Sequence, residues 1–121
     1  MMTNLDELPQ RYDAVIDKLL DKSEAGSVPW KPTAAEDTFI AAIEGGFTFE
    51  VGRCEDAGFE FRMKDNDDRK IVDLRTSGGL GWRTEGDQYS DKIGRLFEVA
   101  RGQALEVDRK LAAAESLLDR V

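Results

Sequence analysis

Apolar residues in the last third of the chain recur at alternating spacings of four and three: Ile93, Phe97, Ala100, Ala104, Val107, Leu111, Ala114, Leu118 and Val121. That spacing keeps them on one narrow stripe of an α-helix. It predicts a long helix from about Ser90 to Arg120, with Ser90 as its natural N-cap. Such a helix is about 45 Å long at 1.5 Å per residue, against about 23 Å for a seven-residue strand. Part of its stripe is therefore expected to pack on something beyond a compact core. Val99 and Leu117 widen the stripe, and Leu105 lies well off it. Gly102, mid-helix, costs about 1 kcal/mol relative to Ala, and marks a bend, a close approach or a break.

A second helical stripe runs through Leu5, Leu8, Tyr12, Val15, Ile16, Leu19 and Leu20. Pro9 is tolerated only in a first turn, so this helix is predicted to start near Leu8 or Pro9 and to end near Ser23. Residues 25–32 hold two prolines and read as a connector without regular structure. Thr33 with Glu36 is a capping-box signature. It predicts a short second helix from Ala34 to Glu44 that buries Phe39, Ile40 and Ile43, ended by Gly45-Gly46.

The period then changes to two. Phe47, Phe49 and Val51 alternate with polar residues or glycine, as do Phe59, Phe61 and Met63, which predicts two half-buried strands. Residues 54–58 form a hairpin loop between them, and Asp65-Asn66-Asp67-Asp68 a second turn. A third strand covers roughly Arg69 to Thr76, with Val72 and Leu74 inward and Ile71 on the other face. Residues 77–88 contain four glycines and leave room for only a short fourth strand around Trp82-Arg83-Thr84. The expected architecture is a single α+β domain over residues 1–121, in the order α-α-β-β-β-α. Two N-terminal helices precede a three-stranded antiparallel meander, whose apolar face the long C-terminal helix covers.

Charge changes what this fold is expected to meet. The net charge is −8, which disfavours direct contact with nucleic acid. Residues 1–46 carry nine acids against four bases, whereas residues 90–121 carry six of each, so the acidity is concentrated in the N-terminal half. An acidic surface serves solubility. It also suits a basic partner. The single cysteine, Cys54, excludes an internal disulfide and fits a reducing compartment. No apolar run approaches a membrane span, and the N-terminus reads as acidic and amphipathic rather than as a signal peptide. The expected location is the cytoplasm, with no membrane association.

Candidate chemistry is sparse. The chain has no histidine, which removes Ser-His and Cys-His pairs and histidine metal ligands together. Asp65 to Asp68 resembles a calcium loop only at its start, because Lys70 and Thr76 stand where such a loop needs glycine and glutamate. Gly78-Gly79-Leu80-Gly81 is followed by Trp82-Arg83, not by the Gly-Lys-Ser/Thr of a phosphate loop. Glu50, Glu60, Arg62 and Lys64 read as cross-strand ion pairs. Cys54 beside Arg53 lacks a general base and reads as a bystander thiol.

No catalytic residue, metal site or cofactor is therefore expected, and the chain is read as non-enzymatic. The leading expectation is a small acidic interaction or dimerisation module, binding a protein partner or a second copy of itself, with the homodimer favoured. The candidate partner-binding residues are Trp30, Trp82, Leu105, Val107, Leu111 and Leu118. Trp30 and Trp82 lie in loops, where tryptophan either folds back as a core lid or anchors a partner. The alternative expectation is an acidic inhibitor of a basic, nucleic-acid-acting partner, such as an immunity protein, an antitoxin or a viral anti-defence factor.

Overall fold

The computed structural model describes residues 7–54, 58–77 and 85–121. The chain opens with α1 (Leu8–Glu24), which carries Pro9 in its first turn, where the missing N–H leaves no hydrogen bond unmade. Ile16, Leu19 and Leu20 are its buried stripe. Gly26, at φ +79°, turns the chain out of the helix.

The next segment corrects the sequence reading. No helix forms over residues 34–44. The chain instead makes a two-residue strand, β1 (Lys31–Pro32), then a turn, then β2 (Thr38–Ile43). Thr33 does not cap a helix: its hydroxyl accepts from the Ala35 N–H at 3.1 Å, closing a local turn, and donates to the Thr38 carbonyl at 2.9 Å. Asp37 sits at φ +53°, which no helix interior permits. Phe39 and Ile43 are four residues apart, a spacing that points both to one side under either period. Ala41 decides between them. It is buried with Phe39, as only a period of two allows, and Ile40 turns to the other face. The β-branched Thr38, Ile40 and Ile43 favour the same outcome. Pro32 in β1 is compatible with a strand because it lies at the sheet edge.

Three further strands follow: β3 (Phe47–Arg53), β4 (Phe59–Lys64) and β5 (Lys70–Arg75). Among the described residues the sheet is thus five-stranded, not three-stranded, and is an antiparallel meander in the order β1-β2-β3-β4-β5. Gly45 and Gly46, at φ +109° and +106°, are not a helix terminus but the tip of the β2–β3 hairpin. The Asp65 carboxylate accepts from the backbone N–H groups of Asp67 and Arg69, so the acidic run is the β4–β5 turn. The fourth strand considered near Trp82 lies outside the described residues.

A 3₁₀ turn (Glu85–Tyr89) leads into α2 (Ser90–Leu118), 29 residues long. Tyr89, not Ser90, occupies the N-cap position, and no side chain caps the helix there. The Tyr89 hydroxyl instead donates to the Pro9 carbonyl at 2.9 Å. Among the described residues the order is therefore α-β-β-β-β-β-α. Cross-strand registers place Phe39 beside Val51, Val51 beside Phe61 and Phe61 beside Leu74 on one face. These four side chains join Ile16 and Leu19 of α1 and Ile93, Leu96 and Phe97 of α2 in a single core. Phe97 lies between Phe39 and Phe59, with ring centroids 5.7 and 5.4 Å away.

Candidate interaction surface

The stripe of α2 divides into two halves with different surroundings. Ile93, Phe97, Ala100 and Ala104 are completely buried under the sheet and α1. From Leu105 to Val121 every residue is exposed, although the helix continues to Leu118. The second half is thus an arm of about 21 Å standing clear of the body, from 14 helical residues at 1.5 Å each. Gly102 lies just before it and does not break the helix. A β-carbon there would meet nothing within 4 Å, so no close approach explains the glycine.

The body holds the first half from two sides. Lys92 bonds Asp13 at 2.7 Å and Asp17 at 2.9 Å, and Arg95 bonds Glu24 at 3.0 Å. Asp13 and Asp17 hold the Lys92 ammonium above its ordinary pKa through their hydrogen bonds. The pairings rise together along both helices, so α1 and α2 run side by side in the same direction. α1 stops level with Gln103, whose side-chain amide donates to the Ser23 carbonyl. An antiparallel N-terminal helix covering the far end of α2 is not what forms.

Around the arm, position follows from about 100° per residue. With Leu111 as origin, Val107, Ala114 and Leu118 fall within about 60°, continuing the buried face of the first half. Asp108, Glu115 and Asp119 follow one flank at about 40–80°, and Lys110 and Leu117 the other at about 100–120°. Lys110 pairs with Glu106 at 3.4 Å. Among the described residues none of Asp108, Glu115 and Asp119 enters an ion pair. Where the arm leaves the body there is a notch of about 430 Å³, walled by Val28, Pro29 and Trp30 on one side and by Gln103, Val107 and Lys110 on the other.

Four of the residues singled out from sequence lie on this arm. Leu105 and Val107 are just exposed, and Leu111 and Leu118 are 63% and 70% exposed. Leu117 and Val121, outside that group, are as open. Their signal was present in the same stripe, Val121 on it and Leu117 at its margin. Trp30 is buried, and its indole N–H donates to the Ser23 hydroxyl at 2.9 Å, while the residue also lines the notch. Trp82 lies outside the described residues, as does the glycine run before it.

Glu50, Glu60, Arg62 and Lys64 of the sheet are paired with one another. On the outer sheet face Arg62 bridges Glu50 at 3.0 Å and Glu60 at 2.9 Å, and Lys64 reaches Glu50 at 3.5 Å. Burial acts to lower the Arg62 pKa, but the hydrogen bond to Glu50 and the charge of Glu60 prevail and raise it. Glu50 and Glu60 are thus each matched by a cation. Burial pushes the Cys54 thiol up, against a hydrogen bond from Arg75, which keeps it protonated and poorly nucleophilic. Among the described residues no group of three metal-ligating side chains converges, and no helix is long and apolar enough to cross a membrane. Comparison of the chain with protein-family models, curated proteins and solved structures returns no match.

Proposed function

We propose that the chain is a non-enzymatic protein-interaction module whose working surface is the exposed half of α2. The observation that carries this reading is the arm itself: seventeen consecutive exposed residues, helical through Leu118, with Val107, Leu111 and Leu118 on one stripe. Helices in proteins owe most of their stability to a packed face, not to propensity. A stripe this apolar has no reason to point into water unless something covers it. Anchors spaced i, i+4 and i+11 on one face are the pattern of a helix laid into a groove.

The arm is favoured over the acidic N-terminal half as the working surface. Asp13, Asp17 and Glu24 of α1 are already paired with Lys92 and Arg95 of the same chain. That leaves less of the N-terminal charge for an external basic partner.

Site-specific photo-crosslinking tests the reading. A photoreactive residue at Leu111 should give one discrete adduct in the native host cell. The same residue at Ser116, about 140° around the helix, should give none. Equal labelling at both positions, or none at Leu111, would remove the arm as the interface.

A further inference from the structure

We infer that the arm takes a heterologous partner, a protein groove lined by apolar side chains and bordered along one side by lysine or arginine, and not a second copy of this chain. The inference rests on the reading of the arm as an interface and adds the chemistry of its occupant. Two geometric facts carry it.

The first concerns a parallel copy. The exposed stripe of Val107, Leu111 and Leu118 continues the face whose earlier members, Ile93 to Ala104, are fully buried under this chain's own sheet and α1. A parallel copy laid on the arm would bring its own body to the same height on the same side. That space is already filled. Parallel pairing is the one in which Lys110 of one arm would face Glu115 of the other, so the only charge-matched self-pairing is the one the sheet blocks.

The second concerns an antiparallel copy. This arrangement sets the bodies at opposite ends and is free of that clash. Antiparallel helices, however, bring like flanks together. Asp108, Glu115 and Asp119 share one flank, so each copy would present these three carboxylates to the same three of the other. Sliding the copies to bring Arg101 opposite the incoming acids would drive the incoming tip against Ala100, which is fully buried. Every antiparallel register that avoids the body therefore faces acid with acid. A partner with cations along that flank removes the conflict and leaves the apolar stripe to be covered.

A copy of this chain with the flank reversed, Asp108→Lys, Glu115→Lys and Asp119→Lys, serves as the probe. All three positions are exposed, so folding should survive, which circular dichroism verifies. Glu115→Lys alone provides a milder version. By sedimentation at micromolar concentration, the wild type and the reversed copy should each be monomeric. Their equimolar mixture should form a 1:1 dimer, at least tenfold tighter than either self-association. The dimer should weaken as salt rises and vanish when both members carry Leu111→Asp. A wild-type dimer dissociated by Leu111→Asp would overturn the inference while leaving the arm as an interface. A mixture that stays monomeric would also overturn it, and the crosslink at Leu111 then reports separately on whether the arm is an interface.

Discussion

The Trp30 indole N–H donates to the Ser23 hydroxyl at 2.9 Å, and both side chains are buried. This bond fastens the connector after α1 to the last turn of that helix. The Ser23 carbonyl meanwhile accepts from Gln103 of α2. One serine thus links three segments at the point where the arm departs from the body.

Ser23→Ala should leave the Trp30 N–H buried without an acceptor while sparing the backbone contact to Gln103. The expected loss is about 1–3 kcal/mol, the cost of an unsatisfied buried donor. Urea unfolding followed by tryptophan fluorescence measures it. An unchanged midpoint would mean that Trp30 finds another acceptor or that water reaches it.

Two glycines should respond in opposite directions to alanine. At Gly102 the added methyl meets nothing within 4 Å. Gly102→Ala should therefore stabilise the helix by about 0.5–1 kcal/mol. At Gly58 a β-carbon would strike the Thr76 carbonyl oxygen. Thr76 there pairs with Phe59 through both its backbone N–H and its hydroxyl, each at 2.8 Å. Gly58→Ala should cost about 1–3 kcal/mol, the range for overpacking a tight site. Thermal unfolding of the two variants would have to fail in sign, not merely in size, to contradict this.

How far the sequence showed this fold depends on whether a residue's spacing distinguishes the two periods. Val72 and Leu74 flank Asp73 and alternate with Ile71, which no helix reproduces, so β5 and its inward residues could be read directly. The helical period of α2 is equally plain, although Gly102 left a break in it open. Phe39 and Ile43 fit both periods, and Thr33 and Glu36 supplied a cap signal that the chain spends on a turn instead. What resolves β2 is its pairing with β3, Phe39 against Val51 and Ile43 against Phe47. That is a tertiary fact no local window contains. The arm was legible as excess length, and Val107, Leu111 and Leu118 could be read as its outer stripe. Whether α1 would cover them was not legible, because that depends on where α1 stops against α2.

Lys92 gives a pH dependence with a definite sign. Its pKa is raised in the folded protein by Asp13 and Asp17, above the ordinary 10.5 of lysine. The folded state therefore binds this proton more tightly than the unfolded chain does. The associated stability is complete below the ordinary value and is lost as pH rises through the raised one. Lys92→Met should abolish that component. The difference in melting temperature between wild type and variant should be constant from neutral pH to about pH 10 and should shrink above it. A difference that grows with alkalinity would contradict the pairing.

Leu111→Asp with Leu118→Asp should leave the fold intact. Both side chains are largely in water already, and exposed substitutions away from special features usually change stability by less than about 0.5 kcal/mol. A loss of several times that amount in the isolated chain would show that the stripe is covered even without a partner.

Hydrogen exchange should divide α2 at the boundary that burial draws. Amides from Ile93 to Ala104 sit beneath side chains of the sheet and α1, so opening them requires disrupting the core. Amides from Leu111 to Leu118 need only local fraying, because every side chain of that stretch is exposed. They are expected to exchange orders of magnitude faster than the first half. The helix that supplies them is still nucleated by the body, so the arm should keep its helical circular dichroism while exchanging quickly. Adding the flank-reversed copy should slow the arm amides selectively and leave those of Ile93 to Ala104 unchanged. Uniform slow exchange along the whole of α2 in the isolated wild type would mean that the arm is already packed. The stripe would then be closing an assembly of identical chains instead of awaiting a different one.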